Sequence, residues 1–455
     1  MRQPSCNISI PAYASAAIDA LEAAGFESWL VGGCVRDALL GRTVNDYDIA
    51  TAARWEETER VLKEASFEVH RTGTAHGTVT ASRDGNPLEI TTFRADGTYS
   101  DGRHPDSVEF VRHIEDDLAR RDFTVNALAY HPERGLLDCW GGIDDLSQGV
   151  IRAVGNPEQR FREDALRVLR GCRFASQLGF RIEPATLEAM KATKRGLERI
   201  STERIVHELD ALLLGQHVHD ALMETVDVLD AVLPELAACK GFEQHSPYHK
   251  YDVLEHIAWV VQRSPQTRLS RWAALLHDIG KPGAFFMEGE RGHFYGHARL
   301  SASLASDIAH RLGFSQPFTN KLIVLVREHD TQIEATPKAV KRVLVRLDGD
   351  VDLFRALCDL KHADDLAHSE LGAKRAALSK DLARVLEEVI RADEAFSLKQ
   401  LELSGRDVMG LGVSEGPEIG RVLDACLEAV IDERIPNDHE RLLVFAGELI
   451  GAETQ

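Results

Sequence analysis

Two aspartates, Asp46 and Asp48, stand two positions apart in Gly41-Arg42-Thr43-Val44-Asn45-Asp46-Tyr47-Asp48-Ile49. On a strand that spacing points both carboxylates to one face. Two Mg²⁺ ions can share such a pair, because Mg²⁺ is a hard cation that takes few protein carboxylates and completes its shell with substrate phosphate oxygens. The chemistry that follows is in-line displacement at phosphorus, with charge stabilised on the attacking and leaving oxygens. Glu89, in Leu88-Glu89-Ile90-Thr91-Thr92-Phe93, is the natural third carboxylate. Two aspartates in a turn are commonplace, so the pair gains meaning from its context. Leu30-Val31-Gly32-Gly33-Cys34-Val35-Arg36-Asp37 reads as a strand, a diglycine and a helix start carrying an arginine. Glycine permits close backbone approach, and amides at a helix N-terminus bind phosphate, so Gly33 and Arg36 are placed to hold a triphosphate against the metals.

These residues need a scaffold. An alanine-rich helix is expected over 12–24, a strand at Trp29–Val31 and a helix from Val35 to Leu40. Strand-like stretches rich in β-branched and aromatic residues follow at Tyr47–Ala50, Thr78–Ser82, Leu88–Phe93 and Val108–Val111. Between the last two, Gly97 to Pro105 is rich in Gly, Asp and Ser and reads as a loop beside the site. From about Glu158 onward apolar residues recur at helical spacing and almost no strand pattern returns.

Diglycine, arginine and D-x-D in this order resemble the nucleotidyltransferase superfamily that includes DNA polymerase beta. Further segments narrow the resemblance. Arg120-Arg121-Asp122-Phe123-Thr124-Val125-Asn126-Ala127 looks like the RRD-x-x-x-NA motif of class II CCA-adding tRNA nucleotidyltransferases and bacterial poly(A) polymerases, a motif associated with choosing ribose over deoxyribose. Asp138 to Leu146, with Gly141, Gly142 and Asp145, is similar to the family's hinge-like segment. Glu163-Asp164-Ala165-Leu166-Arg167-Val168-Leu169-Arg170-Gly171-Cys172-Arg173 resembles its E-D-x-x-R nucleobase-recognition helix. On a helix, Asp164 and Arg167 become i,i+3 neighbours, an acceptor beside a donor. Such a pair accepts from the exocyclic amine of C or A and donates to the ring, and it meets U or G with like groups facing each other. Arg170 and Arg173 continue that face as candidates for triphosphate contacts. A plain Glu163–Arg167 salt bridge on a solvated helix is the competing reading.

The resemblance extends to Arg199–Leu209, similar to the family's neck, with Ser201 or Thr202 capping a helix. It extends also to Leu403–Met409 and Gly416–Gly420, similar to the tail that contacts tRNA. It implies that a tRNA 3′-OH attacks the α-phosphate of CTP or ATP and that pyrophosphate leaves. Two Mg²⁺ ions would lie at Asp46 and Asp48, with Arg121, Asp122 and Asn126 at the sugar. The stretch Arg71–Thr78 resembles CCA enzymes rather than poly(A) polymerases, and the loop Tyr99–Pro105 is not shortened as in CC-adding relatives. A-adding relatives share every motif quoted.

A second constellation runs His256, then Leu275-Leu276-His277-Asp278-Ile279-Gly280-Lys281, then His297, His329-Asp330 and Ala363-Asp364. The order resembles the HD phosphohydrolase superfamily, in which imidazoles and carboxylates from successive helices bind one or two divalent metals. His256, His277 and Asp278 are its central candidates, joined by His297, His329 and Asp364. Neutral imidazole with carboxylate suits Mn²⁺, Ni²⁺, iron or Zn²⁺. A degenerate HD fold whose histidines merely pack is the alternative.

The chain's length of 455 residues is enough for several cores. We expect an α+β nucleotidyltransferase (polymerase-beta-like) head followed by mainly α-helical neck, HD and tail domains, over 1–150, 151–243, 244–390 and 391–455. The boundary between the second and third rests on the punctuated segment Gln244–His249. A net charge of −20 argues against a general RNA coat, so nucleic-acid contacts must be local. One basic cluster is Arg160, Arg162, Arg167, Arg170 and Arg173; another is Lys338, Lys341, Arg342 and Arg346. Seven cysteines scattered singly suggest neither a disulfide framework nor a zinc knuckle. With no apolar run of spanning length and no signal-peptide core, a cytoplasmic protein without membrane contact is expected. The rival activity is an HD phosphohydrolase with a nucleotide-binding head; a non-enzymatic RNA-binding protein would not need the carboxylates.

Overall fold

The computed structural model describes residues 8–96, 108–370, 376–392 and 395–453, which form two compact units dividing at Ala237/Ala238. The loop expected at Gly97–Pro105 lies outside the described residues.

The first unit opens with α1 (Ala12–Ala23), whose buried Ala14, Ala17, Ile18 and Leu21 form the stripe that an i, i+3, i+4, i+7 spacing creates. It packs on β1 (Ser28–Val31), a strand buried at every position because it lies in the middle of the sheet. Then come α2 (Gly33–Leu39), β2 (Asp48–Thr51), α3 (Trp55–Glu64), β3 (Glu68–Gly73), β4 (Thr78–Arg83) and β5 (Asn86–Thr92). A small antiparallel pair, β6 (Arg94–Asp96) with β7 (Val108–Phe110), precedes α4 (Ile114–Ala119), β8 (Leu128–His131) and β9 (Gly135–Asp138). The seven-stranded sheet runs β3-β4-β5-β2-β1-β8-β9. Only β2 and β5 pair in parallel within it, in the register Asp48↔Glu89, Ile49↔Ile90, Ala50↔Thr91. Trp29, Val31, Ala50, Phe93, Ile114, Leu118 and Ala129 pack as a core around it. β3, β8 and β9 were not anticipated. β3 is a largely exposed edge strand, Glu-Val-His-Arg-Thr-Gly, without apolar alternation.

After α5 (Gly142–Gln148), β10 (Val150–Ile151) pairs in parallel with β11 (Arg181–Ile182). Between them lie α6 (Pro157–Glu163) and α7 (Leu166–Leu178); beyond them follow α8 (Pro184–Thr193), α9 (Thr202–Leu213), α10 (Val218–Leu229) and α11 (Pro234–Ala237). α7 packs against α9 and α10. Ser201 occupies the N-cap position of α9, but neither it nor Thr202 supplies the expected side-chain cap.

The second unit is mainly helical. α12 (Val253–Arg263), α13 (Arg268–Leu276) and α14 (Lys281–Ala284) lead into a hairpin of β12 (Phe286–Glu288) and β13 (Arg291–His293). Next come α15 (His297–Arg311), α16 (Gln316–Glu328), α17 (Pro337–Arg346) and α18 (Val351–Ala367). Helices Ala376–Arg391, Gly405–Gly410, Pro417–Ile431 and His439–Glu453 follow, the last three sharing a core of Leu403, Val408, Cys426, Leu427 and Leu442. The second basic cluster proves to be engaged within this unit. Lys338 and Arg342 meet Asp432 at 3.0 and 2.8 Å, Arg346 meets Glu328 at 3.3 Å, and Lys341 is buried.

Candidate functional sites

The head holds a cavity of about 610 Å³. Asp48 and Glu89, paired across β2 and β5, therefore project to the same face of the sheet, and both line the cavity. Along β5, Leu88, Ile90 and Thr92 are buried while Glu89 turns out of the core, the alternation of a half-buried strand. Asp46 was expected on the strand with Asp48; it lies just ahead of it, exposed and outside the cavity's lining, yet close enough to act electrostatically on Asp48. Burial and then the charge of Glu89 push the Asp48 carboxyl up to about 6, against the opposing pull of Arg121. An all-oxygen cluster with surplus negative charge is the donor set a hard divalent cation fits.

The same cavity is lined by the cationic side chains of Arg36, Arg121, Arg167, Arg170 and Arg173. Gly32 has φ 76°, and a Cβ there would stand 2.8 Å from Arg121 Nη1, so glycine is required at this turn. Gly33 opens α2, and Arg36 donates through Nη1 to Asn126 Oδ1 at 2.6 Å. Asn126 Nδ2 donates to Asp122 Oδ1 at 3.0 Å, and Arg170 Nε donates to Asp122 Oδ2 at 2.7 Å. Burial resists ionisation of Asp122, but Arg170, Asn126 and the Phe123 amide outweigh it and hold the carboxyl well below its ordinary range. Arg173 pairs with Glu208 at 2.8 Å. The guanidinium carbons of Arg36, Arg170 and Arg173 lie 5.2, 5.3 and 4.5 Å from the centre of the Phe174 ring.

Asp164 and Arg167 both line this cavity, but not as neighbours on one helix. α6 ends at Glu163, Asp164 is extended at φ −138°, and α7 starts at Leu166. The cause is local: Asp164 Oδ1 accepts from the Leu166 amide at 3.0 Å, a side-chain turn that competes with helix continuation. Asp164 Oδ2 meets Arg204 Nη2 at 3.4 Å. The Glu163–Arg167 bridge also exists, at 2.9 Å, and the same guanidinium donates to the Arg160 and Arg120 carbonyls.

In the second unit, α12 brings His256, the end of α13 brings His277 and Asp278, α15 begins at His297, α16 ends before His329, and α18 carries Asp364. His256 Nε2 lies 3.2 Å from Asp278 and 3.0 Å from Asp364; His277, His297 and His329 each approach Asp278 within 3.5 Å. Lys281 Nζ meets Asp278 Oδ2 at 2.6 Å and Gln244 Oε1 at 2.8 Å. Burial opposes ionisation of Asp278 and Asp364, yet the surrounding imidazoles, and Lys281 at Asp278, hold both well below their usual range. Imidazole and carboxylate atoms grouped within 4.8 Å form three sets able to hold a divalent ion, two of them sharing Asp278 and two sharing His256.

Residues 28–152 match the poly A polymerase head domain, 179–240 the probable RNA and SrmB-binding site of polymerase A, 248–369 the HD domain, and 333–446 the putative tRNA nucleotidyltransferase domain 2. The CCA-adding enzyme of Lacticaseibacillus paracasei is 33% identical over 99% of this chain and 98% of its own. The chain belongs to the CCA-adding enzyme family. That of Ligilactobacillus salivarius is 48% identical over 46% of this chain and 51% of its own. The Bacillus stearothermophilus CCA-adding enzyme, solved in complex with CTP, superposes with a TM-score of 0.71 at 27% identity, covering 97% of this chain and 98% of that one. The Thermotoga maritima CCA-adding enzyme complexed with tRNA shares the fold, with a TM-score of 0.57 at 20% identity and coverage of 97% and 96%. Among the described residues no helix is long and apolar enough to cross a membrane.

Beside the family's motif positions, this CCA-adding family member presents residues that sequence reasoning passed over. Asp117, fully buried on α4, pairs with Arg120 and Arg121 at 2.8 and 3.2 Å, and Arg204 and Glu208 pair with Asp164 and Arg173 at 3.4 and 2.8 Å. Arg204 and Glu208 lay inside the neck segment, i,i+4 on a helix, but nothing local marked their partners. His249 and His368 join the HD cluster, with rings 4.5 Å apart. His249 and the buried Gln244 belong to the segment read as punctuation.

Proposed function

We propose that this protein adds C, C and A to tRNA 3′ ends from CTP and ATP, releasing pyrophosphate, in the cytoplasm. The observation that carries the reading is the Asp48–Glu89 register in a cavity lined also by Asp164, Arg167 and a set of paired arginines. Asp46, Asp48 and Glu89 would hold Mg²⁺, which when bound supplies charge neutralisation at the reacting phosphate. The chain's own residues do the rest. Gly33 and Arg36 face the phosphates, with Arg170 and Arg173 as further cationic contacts. Arg121, Asp122 and Asn126 position the ribose, and Asp164 with Arg167 reads the base edge by paired acceptor and donor. Base reading requires Arg167 to share or leave Glu163. We further propose four parts over 1–150, 151–243, 244–390 and 391–455, the last contacting tRNA.

The test is incubation with Mg²⁺ and tRNA transcripts ending at the discriminator base, at C or at CC, with CTP alone, ATP alone or both. All three transcripts should end in CCA when both nucleotides are present. Extension of the CC transcript alone, by one A, would make the protein an A-adding enzyme.

The HD cluster favours a second activity, hydrolysis of phosphate at damaged tRNA ends. Its imidazole and carboxylate atoms suit a first-row divalent ion, which supplies Lewis acidity toward phosphate oxygens. Failure of metal-supplemented protein to release phosphate or open a 2′,3′-cyclic phosphate on RNA would remove this activity.

A further inference from the structure

Asp117 lines the head cavity although the residue itself has no solvent exposure. Its two oxygens divide their work. Oδ1 accepts from Arg120 Nε and Nη2, at 2.9 and 2.8 Å, and from the Arg94 amide at 3.4 Å, whereas Oδ2 accepts from Arg121 Nη2 at 3.2 Å. Burial opposes its ionisation, but Arg120 and Arg121 outweigh it and hold the carboxyl below its ordinary range. One negative charge therefore serves two guanidiniums.

Arg121 is the loosely held one. Among the described residues Asp117 is the only hydrogen-bond partner of its guanidinium, and its Nε is enclosed without an acceptor. Arg36 and Arg170, by contrast, each grip a carboxylate through two nitrogens, at 2.9 and 2.9 Å on Asp37 and at 2.7 and 2.6 Å on Asp122. Arg121 also stands where a guanidinium is a hazard. Its Nη1 lies over Gly32, where a Cβ would meet it at 2.8 Å. Gly32 directly follows β1, whose Leu30 pairs with Ile49, the neighbour of Asp48 on β2. From there the Arg121 charge acts on Asp48, which shares a register with Glu89, yet no described cation pairs with either carboxylate. Two adjacent carboxylates without a counter-ion attract a nearby guanidinium, and one seated on them would occupy the oxygens that a divalent ion needs.

Resting on the reading that Asp48 and Glu89 hold Mg²⁺, we infer that Asp117 is a positioning residue that restrains Arg121 from the metal-binding carboxylates. It keeps their oxygens open to the ion and the guanidinium open to the nucleotide. The restraint acts through Arg121 alone. Loss of the Asp117 charge lets Arg121 settle on Asp48, and a divalent ion must then break that pair to enter.

The experiment titrates the full, metal-stripped chain with Mn²⁺ in the absence of nucleotide and follows the free ion by electron paramagnetic resonance. The binding lost on Asp48→Asn defines the head site. Asp117→Asn should weaken that site about tenfold, the equilibrium equivalent of one charge-assisted hydrogen bond that the ion has to displace. Adding Arg121→Met should return the affinity to that of Arg121→Met alone, because no guanidinium is left to intrude. Unchanged affinity in Asp117→Asn overturns the restraint, and equal weakening with and without Arg121 makes Asp117 a packing residue only. If Asp48→Asn removes no Mn²⁺ binding, the metal reading itself fails and the restraint falls with it. Thermal melting checks that the variants fold. Should Asp117→Asn not fold, Arg121→Met decides: a restrained guanidinium predicts a head affinity within about threefold of the parent, and any larger tightening shows that Arg121 already competes for Asp48.

Discussion

The two candidate metal sites are built to opposite designs. In the head the donors are carboxylates only, two of them, Asp46 and Glu89, exposed, and the cationic side chains near them are arginines held on carboxylates of their own. In the HD region nearly every donor is buried, imidazoles outnumber carboxylates, and ring orientation is fixed by backbone carbonyls. Oxygen donors at a cavity wall suit an ion that arrives with phosphate and departs with product, whereas a buried nitrogen–oxygen cage suits a resident transition metal. On the proposed reading, donor type and burial together separate a transient cation in the head from a resident one in the HD cluster.

The sharpest way to break this contrast is to remove the head carboxylates. Asp46→Ala with Asp48→Ala should cut nucleotide incorporation by about 10³-fold or more, the scale of losing a dominant electrostatic stabiliser. The metal bound by the HD cluster, measured by elemental analysis, should not change. Retained incorporation would sink the head assignment.

Base reading supplies the next effect. Asp164→Ala or Arg167→Lys should relax the preference for CTP over UTP by roughly 10–100-fold in kcat/KM, since a good bidentate contact is worth about 1–3 kcal/mol of discrimination. An unchanged ratio with lowered overall activity would mean that the pair only holds α7 in place.

The head's surplus negative charge can be read thermodynamically. Because burial and Glu89 raise Asp48 to about 6, the folded state holds a proton there more tightly than the unfolded chain does. That stability is complete below the ordinary carboxyl value and is lost as pH rises through about 6. Asp48→Asn should therefore stabilise the Mg²⁺-free protein by roughly 2 kcal/mol at pH 7 and by little at pH 4, as followed by denaturant melts. Mg²⁺ should erase the difference.

The smallest effect concerns Phe174. Replacement by Leu removes the ring under Arg36, Arg170 and Arg173, and at about 1 kcal/mol should raise KM for nucleotide by about fivefold with little change in kcat.

Much of the head could be read from local pattern. Ser28 to Leu39, a strand, a diglycine and a helix, announces itself through an apolar run and two glycines, and the D-x-D spacing marks a segment that reaches the cavity through Asp48, where the strand begins. Asp164 shows where local reading misled. The E-D-x-x-R spacing suggested one helix, yet an aspartate two residues before a helical run is also an N-terminal turn signal, and the backbone takes that option. Other features carried no local signal at all. Glu208 against Arg173 and the convergence of His249 and His368 depend on which distant segments pack together, whereas the Asp117 pairings with Arg120 and Arg121, three and four residues on, lay within reach of local reading. The edge strand β3 forms because β4 offers it hydrogen bonds, not because its residues alternate.

The arginines of the head have a kinetic consequence. Arg170 on Asp122, Arg173 on Glu208 and Arg167 on Glu163 are each engaged before any nucleotide is met. On the proposed reading an incoming nucleotide must displace or share these rivals, at its base for Arg167 and at its phosphates for Arg170 and Arg173, so its net affinity is tempered by the pairs it disturbs. The same rivals stand ready to reclaim their guanidiniums when pyrophosphate forms. Three successive additions to one RNA end demand that kind of reset, in which the resting contacts of the cavity act as the product's competitor and hasten clearance between rounds.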